Sequence, residues 1–468
     1  MIGLTIDEIA AAIGGSRAGA EVPGTTLVSG PVTTDSREVV PGGVFVAKPG
    51  EHSDGHLFAA GAVESGAALL IVEHEVDAAA PQLVVEDAVV ALGALAAEVV
   101  SRVRALGRLR IVAVTGSNGK TTTKNLLRTV LERVGPTVAP RASFNNEVGA
   151  PTTMLELTED TRFLVAEMGA SKVGDIARLI GMAKPDVGIV LKVGLAHAGE
   201  FGGIERTVEA KSEMVTGLLP EDVAVLNADD PRVDGMAERT CARVVRFGQG
   251  PSADVRALDV RAHSRGTDFT VQIPGGRRAE VRFGVLGEHH VSNALAAIAA
   301  SLELGVDLDD IVDALGSVTL AERWRMQLMG GRDGITVVND AYNASPDSMA
   351  AALKTLAQIR EPGKRTIAVL GEMSELGEYS GEEHDLIGLL AVRLRIDQLV
   401  VVGTGARRLH ISAINEGSWD GESTFVETFD EAFDLVTRLA EPGDAILVKS
   451  SNSAGLRHLG DRLGEWFA

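Results

Sequence analysis

Short apolar runs alternate with stretches of helical periodicity along the whole chain, and the runs are continuous rather than alternating, as expected of strands buried on both faces. To about Gly107, runs at 44–47, 69–72 and 83–85 predict strands, with alanine-rich helical patterns between them and a closing helix at 89–106. A second part repeats the theme: the run that opens at Arg110 is followed by strands at 163–166, 187–191 and 223–226 and by a helix at about 291–304. From near Arg323 a third part places strands at 335–338, 366–370, 398–402 and 445–448, separated by helical periodicity. Strands of this kind alternating with helices build parallel, doubly wound sheets. The pattern therefore predicts an α/β chain of three domains, 1–107, 108–321 and 322–468, the second carrying a parallel sheet and the third Rossmann-like.

Length agrees, since 468 residues at roughly 150 per domain give about three. Aromatic residues make up only 4% while alanine, valine and glycine abound, a composition suited to helices packed closely on sheets. The formal charge of −21, from 44 Lys plus Arg against 65 Asp plus Glu, argues against nucleic acid as a partner. A phosphate-bearing ligand must then be held by a local positive site. Cys241 is the single cysteine, so no intramolecular disulfide forms; the start, MIGLTIDEIAAAIGG, lacks a basic segment and a cleavable apolar core. No apolar run approaches about 18 residues without charges or breakers. A cytoplasmic chain without integral membrane association is expected, and it has no fixed-period repeat or low-complexity tract.

The stretch RIVAVTGSNGKTTTK, 110–124, passes from a strand pattern through a glycine turn to a lysine and threonines that open a helix. Successive backbone N–H groups at such a turn surround an anion, a lysine adds positive charge, and a threonine hydroxyl can hold Mg²⁺. The spacing is a shortened P-loop: Val114 occupies the position of the usual first glycine, leaving Gly116-x-x-Gly119-Lys120-Thr121. Glu167 ends a strand run one strand further on, where an acid can hold Mg²⁺ on nucleotide phosphates. His197 also follows a strand, although a lone histidine there is more often a satisfied structural residue than a ligand. Lys211 sits in a helical pattern where most lysines face water, and spacing alone leaves it there. Asn145, Asn146 and the segment NDAYNASP, 339–346, are polar loops that turn chemistry would also explain. Ser36 and Arg37, ahead of a glycine- and histidine-bearing stretch, could hold a diphosphate or sugar.

Taken together and in order, TDSR, DGHLF, TGSNGKTTTK, FNNEVGAP, AEMG, AHAGEFGG, KSEM, NADDP, HHVSNALAA, WRM, NDAYNASPDSM and GEMSELG resemble the Mur ligases over nearly the whole chain. The resemblance implies an ATP-dependent, ADP-forming peptide ligase of cytoplasmic peptidoglycan precursor synthesis, acting as a monomer. Within the family it is nearest to the branch that joins D-alanyl-D-alanine to UDP-N-acetylmuramoyl-tripeptide through an acyl phosphate. Tyr342-Asn343-Ala344-Ser345-Pro346 resembles that branch rather than the ligase adding the third stem residue. The latter carries a DNPR motif in its third domain, whereas Asp229-Asp230-Pro231-Arg232 here falls in the second. A lysine-glycine-serine-arginine motif frequent near the family's C-terminus reads Lys449-Ser450-Ser451-Asn452, a departure that gives no role to these residues.

By the same resemblance, Gly116, Ser117, Asn118, Gly119, Lys120, Thr121 and Thr122 form the ATP cradle, with Lys120 on the β/γ-phosphates and Asn293 toward the adenine. Thr121 and Glu167 would hold one Mg²⁺ and His197 a second, joined by a CO₂-derived carbamate on Lys211. Arg325 and Asp340 would reach the nucleotide once the third domain closes, while Ser36, Arg37, Asn145, Asn146, Tyr342 and Asn343 would contact the UDP-substrate or the dipeptide. The alternatives are the third-residue ligase, a P-loop kinase or switch, and a non-catalytic UDP-sugar-binding scaffold.

Overall fold

A computed structural model of the chain describes residues 1–50, 53–194, 203–319, 322–416 and 422–468. Its first part holds a five-stranded sheet in the order Ser16–Gly19, Pro81–Val84, Leu69–Val72, Val44–Val46, Val32–Thr33, parallel except for the first pair. All four residues of Leu69–Val72 are fully buried, which is why this run carries no polar alternation. The helix Ala88–Ala105 starts where the Asp87 carboxylate accepts from the N–H groups of Val89 and Val90. Its apolar face, with Leu92, Leu95, Val99 and Val103, shares one continuous core with Met154, Leu179 and Ile180 of the second part. Gly93 makes room on that helix for the Met182 side chain.

The second part is built on nine strands ordered Thr137–Val138, Phe163–Glu167, Arg110–Thr115, Val187–Val190, Val223–Asn227, Arg243–Gly248, Val255–His263, Gly266–Gln272, Arg278–Phe283. The first seven run parallel and the last two are added antiparallel. The expectation of a parallel sheet thus holds for seven of the nine strands, those that carry the ligand crevice among them. The last three strands bury mainly one face, Val255, Ala257, Phe269, Val271 and Val281 pointing inward while their neighbours are more exposed, so a search for continuous apolar runs passes over them.

The third part places six strands in the order Gln327–Gly330, Thr336–Asn339, Ala445–Lys449, Thr366–Leu370, Gln398–Val402, Ser423–Val426, parallel except for the first pair. Apolar clusters cover both of its faces. Among the described residues, no helix is long and apolar enough to cross a membrane.

Candidate active site

The strand Arg110–Thr115 lies between Phe163–Glu167 and Val187–Val190, so the chain moves outward from it in both directions and a crevice opens at its carboxyl end. There the loop Gly116–Gly119 feeds the helix Lys120–Leu131. Gly119 has φ +88°, and a Cβ on it would stand 2.3 Å from Asn293 Oδ1; only glycine fits both the backbone and the close approach of the helix Glu288–Glu303. The Lys120 ammonium folds back to donate to the Gly116 carbonyl at 2.8 Å. Lys120 keeps some exposed surface, yet protein surrounds its ammonium, and this loss of solvent lowers its pKa while Glu167 opposes the shift.

Glu167 is wholly buried at the end of its strand. Its Oε1 accepts from Asn145 Nδ2 at 2.8 Å and from Thr121 Oγ1 at 3.3 Å, whereas Oε2 is buried without a hydrogen-bond partner. A buried carboxylate oxygen left without a donor is unfavourable, and a cation relieves it. The donors are hard oxygens, as Mg²⁺ requires. No group of three or more His, Cys, Asp or Glu side chains converges among the described residues, but Mg²⁺ needs only one or two carboxylates beside phosphate and water. The residues fit this ion.

A cavity of about 1030 Å³ opens over the loop. It is lined by Gly116, Ser117, Asn118, Gly119, Lys120, Thr121 and Thr122, by Asn145, Asn146, Glu167, Lys211 and Asn293, and by Arg325, Asp340, Tyr342 and Asn343 of the third part. Ser36 and Arg37 are not among the lining residues; they form a surface turn in which Asp35 takes the backbone and guanidinium N–H groups of Arg37. His197 lies outside the described residues.

Spacing alone left Lys211 in water, and the structure corrects that. Only 3% of it is exposed, because it shares the inward face of the helix Ile204–Thr216 with Thr207, Ala210 and Met214. Burial, reinforced by the charge of Lys120, pushes its amine down to about 7.

The third part already touches the second. Arg325 Nη2 approaches Thr121 Oγ1 at 3.4 Å, and its guanidinium stacks 4.3 Å over the Tyr342 ring. Tyr342 and Ser143 hydroxyls are 2.9 Å apart, Ser345 Oγ donates to Asn118 Oδ1 at 3.2 Å, and Lys192 pairs with Asp347 at 3.0 Å. Lys192 was not foreseen, and no local spacing marks it, since its partner comes from a distant segment; Ser345 and Asp347 lie in the segment NDAYNASPDSM but had been given no site role. His290 was also missed. It stands three residues before Asn293 on one helical face, hydrogen-bonds it at 3.2 Å, and keeps a buried, unpartnered Nε2.

Lys449, read as part of a motif departure, is 2% exposed and bonds Asp340. By contrast, Asp229 and Asp230 serve local structure: the former accepts from the N–H groups of Gln249 and Gly250, the latter from those of Val193 and Arg232.

Three family models match the chain: "Mur ligase family, catalytic domain" over residues 31–110, "Mur ligase middle domain" over 114–301 and "Mur ligase, glutamate ligase domain" over 324–452. The UDP-N-acetylmuramoyl-tripeptide–D-alanyl-D-alanine ligase of Mycobacterium tuberculosis is 43% identical, the match covering 99% of this chain and 98% of that one. A crystal structure of MurF from Acinetobacter baumannii superposes with a TM-score of 0.89 at 33% identity, covering 99% of both chains. MurF from Thermotoga maritima in complex with ADP gives 0.82 at 28% identity, over 94% of this chain and 99% of that one.

Proposed function

This chain belongs to the Mur ligase family, and from that premise we infer that it joins D-alanyl-D-alanine to UDP-N-acetylmuramoyl-tripeptide. It is an ATP-dependent, ADP-forming ligase of peptidoglycan synthesis. The observation that carries the reading is the meeting of two parts of the chain at one cavity: the phosphate loop and Glu167 from one side, Arg325 and Tyr342 from the other.

A carboxylate is a poor acyl donor in water. The γ-phosphoryl group of ATP passes to the terminal carboxylate oxygen of the tripeptide, giving an acyl phosphate and ADP. The free amine of the dipeptide then attacks the acyl carbon, the amide bond forms, a proton is lost from nitrogen, and inorganic phosphate leaves. Lys120 and Arg325 bring positive charge to the oxygens of the transferring group. Glu167 and Thr121 would hold Mg²⁺, which when bound supplies charge neutralisation at the phosphates. Asn145 keeps Glu167 oriented through their 2.8 Å hydrogen bond. All five of Asn146, Tyr342, Asn343, Asn293 and His290 line the cavity, which supports giving the first three to the dipeptide and the stem and the last two to the adenine.

Lys211 is assigned a carbamate. An amine pushed down to about 7 is substantially neutral at physiological pH; its lone pair adds to CO₂, a proton is released, and an anionic oxygen donor replaces a cation. The first part, 1–107, takes the UDP-sugar through Ser36 and Arg37, which keeps the distant carboxylate at the cavity. A cytoplasmic monomer completes the proposal.

ADP release tests it. Turnover is expected with UDP-N-acetylmuramoyl-tripeptide plus D-alanyl-D-alanine. Turnover confined to UDP-N-acetylmuramoyl-dipeptide plus lysine or meso-diaminopimelate would replace this reading with the third-residue ligase.

A further inference from the structure

The Lys449 side chain stands at the carboxyl end of the strand Ala445–Lys449, almost fully enclosed. Its ammonium donates to Asp340 Oδ2 at 2.6 Å, to the Asn343 carbonyl at 3.0 Å and to the Asp340 carbonyl at 3.3 Å. Three donors are thereby spent on one loop, 340–343. The other oxygen of Asp340 accepts from the Met326 N–H at 2.9 Å. Both carboxylate oxygens are thus engaged within the third part, so Asp340 acts there as a clamp.

The clamp closes on a strained segment. Trp324 and Met326 both have left-handed backbones, φ +59° and +50°, on either side of Arg325. Side-chain-bearing residues disfavour that conformation by about 1–2 kcal/mol each, so something must hold it. Asp340 fixes Met326 from one side, and Tyr342 N–H donates to the Trp324 carbonyl at 3.1 Å from the other. Held this way, Arg325 stacks on Tyr342 and reaches Thr121 of the phosphate loop, while its buried Nε makes no hydrogen bond.

We propose that Lys449 is a positioning residue: by gathering the loop 340–343 it sets Asp340, and through Asp340 the left-handed turn that presents Arg325 to the phosphate loop. The proposal rests on the ligase reading above. It makes Lys449 matter to turnover although its three bonds all go to its own domain. Lys449 also borders the cavity, so a double-mutant cycle with Arg325 separates this route from a direct one.

The test is a double-mutant cycle on the full chain, with Lys449→Met, Arg325→Ala and the pair, read as kcat and KM from ADP release beside calorimetric affinity for the UDP-substrate. Lys449→Met should lose kcat tenfold or more, with the UDP-substrate Kd within twofold of wild type. The pair should be no more than about twofold worse than the weaker single variant, because both changes remove one function. A kcat for Lys449→Met within twofold of wild type would overturn the proposal, and so would losses that multiply in the pair. Lys449→Gln, which keeps a donor and drops the charge, serves if the methionine variant does not fold and should show the same kcat loss. Failure of both to fold would make Lys449 a stability residue and end the proposal. Wild-type protein that releases no ADP from the tripeptide and dipeptide set would sink the ligase reading instead.

Discussion

Gly119→Ala offers the sharpest test of how the phosphate loop is built. The substitution adds one methyl group at φ +88°, where a side chain is disfavoured by about 1–2 kcal/mol. That methyl would also stand 2.3 Å from Asn293 Oδ1, 3.1 Å from its Cγ and 3.2 Å from Leu191 Cδ1. Asn293 must swing away and break its 3.2 Å bond to His290, leaving a second unpartnered nitrogen on a ring that already has one. A buried polar group so stranded costs about 1–3 kcal/mol. The total is roughly 2–5 kcal/mol, shared between folding stability and nucleotide affinity according to how far the free loop relaxes. If all of it fell on binding, affinity for ATP would drop by about 30- to 5000-fold. Gly174→Ala is the control: φ is +100°, but nothing lies within 4 Å of the added carbon, so only the conformational part, about 1–2 kcal/mol, is expected. Calorimetric binding of a non-hydrolysable ATP analogue and denaturation of each variant give the two shares. A Gly119→Ala protein that loses no more than Gly174→Ala in the two shares combined would refute the steric argument and the placement of Asn293 against the loop.

Lys120→Ala should reduce kcat for ADP release by about a hundredfold or more while the UDP-substrate Kd stays within twofold; normal turnover would remove the loop from the chemistry. Lys211→Ala should fall by about two orders of magnitude, with partial recovery in millimolar acetate or formate, and wild type labelled with ¹³C-bicarbonate should show a carbamate resonance that the variant lacks. An active, unlabelled enzyme would return Lys211 to a structural role. His289, pushed down to about 4 chiefly by burial, and His290, pushed well down from its ordinary value by burial and by His289, stay neutral in the fold. Asp340 favours the charged form of His289; Lys449 and Lys192 oppose it, and Arg325 and Lys449 oppose that of His290. The unfolded chain takes up their protons near pH 6.5 and the folded chain does not, so stability is full above that pH and declines as pH falls from 6.5 toward 4. The His289 share is at most about 3 kcal/mol, reduced by its residual exposure. The apparent melting temperature should fall between pH 7 and 5, and less in a His289→Asn/His290→Asn protein; an equal slope in both would contradict this.

What the sequence discloses follows the range of the interactions involved. Strands such as Leu69–Val72 and Thr366–Leu370 are set by continuous burial, which a run of apolar letters records directly. The phosphate loop is equally legible, because its parts are neighbours in the chain. Lys211 was not: its burial depends on what packs over the helix Ile204–Thr216, and lysine carries no mark of it. Lys449 was hidden for the same reason, its partners lying more than a hundred residues away. The antiparallel strands Gly266–Gln272 and Arg278–Phe283 escaped because their pattern has period two rather than a solid run.

The apolar core shared by the helix Ala88–Ala105 and the second part divides the molecule unequally. The third part has its own clusters, to which Leu286 is the only buried member contributed from elsewhere among the described residues, and it meets the rest through scattered polar contacts such as Lys192–Asp347. Each such contact is worth about 1 kcal/mol or less against water, whereas separating the first two parts would expose a core. Cooperativity should break along that seam. The first two parts should melt as one unit and the third as another, so the folding unit on one side of the active site would be larger than that on the other.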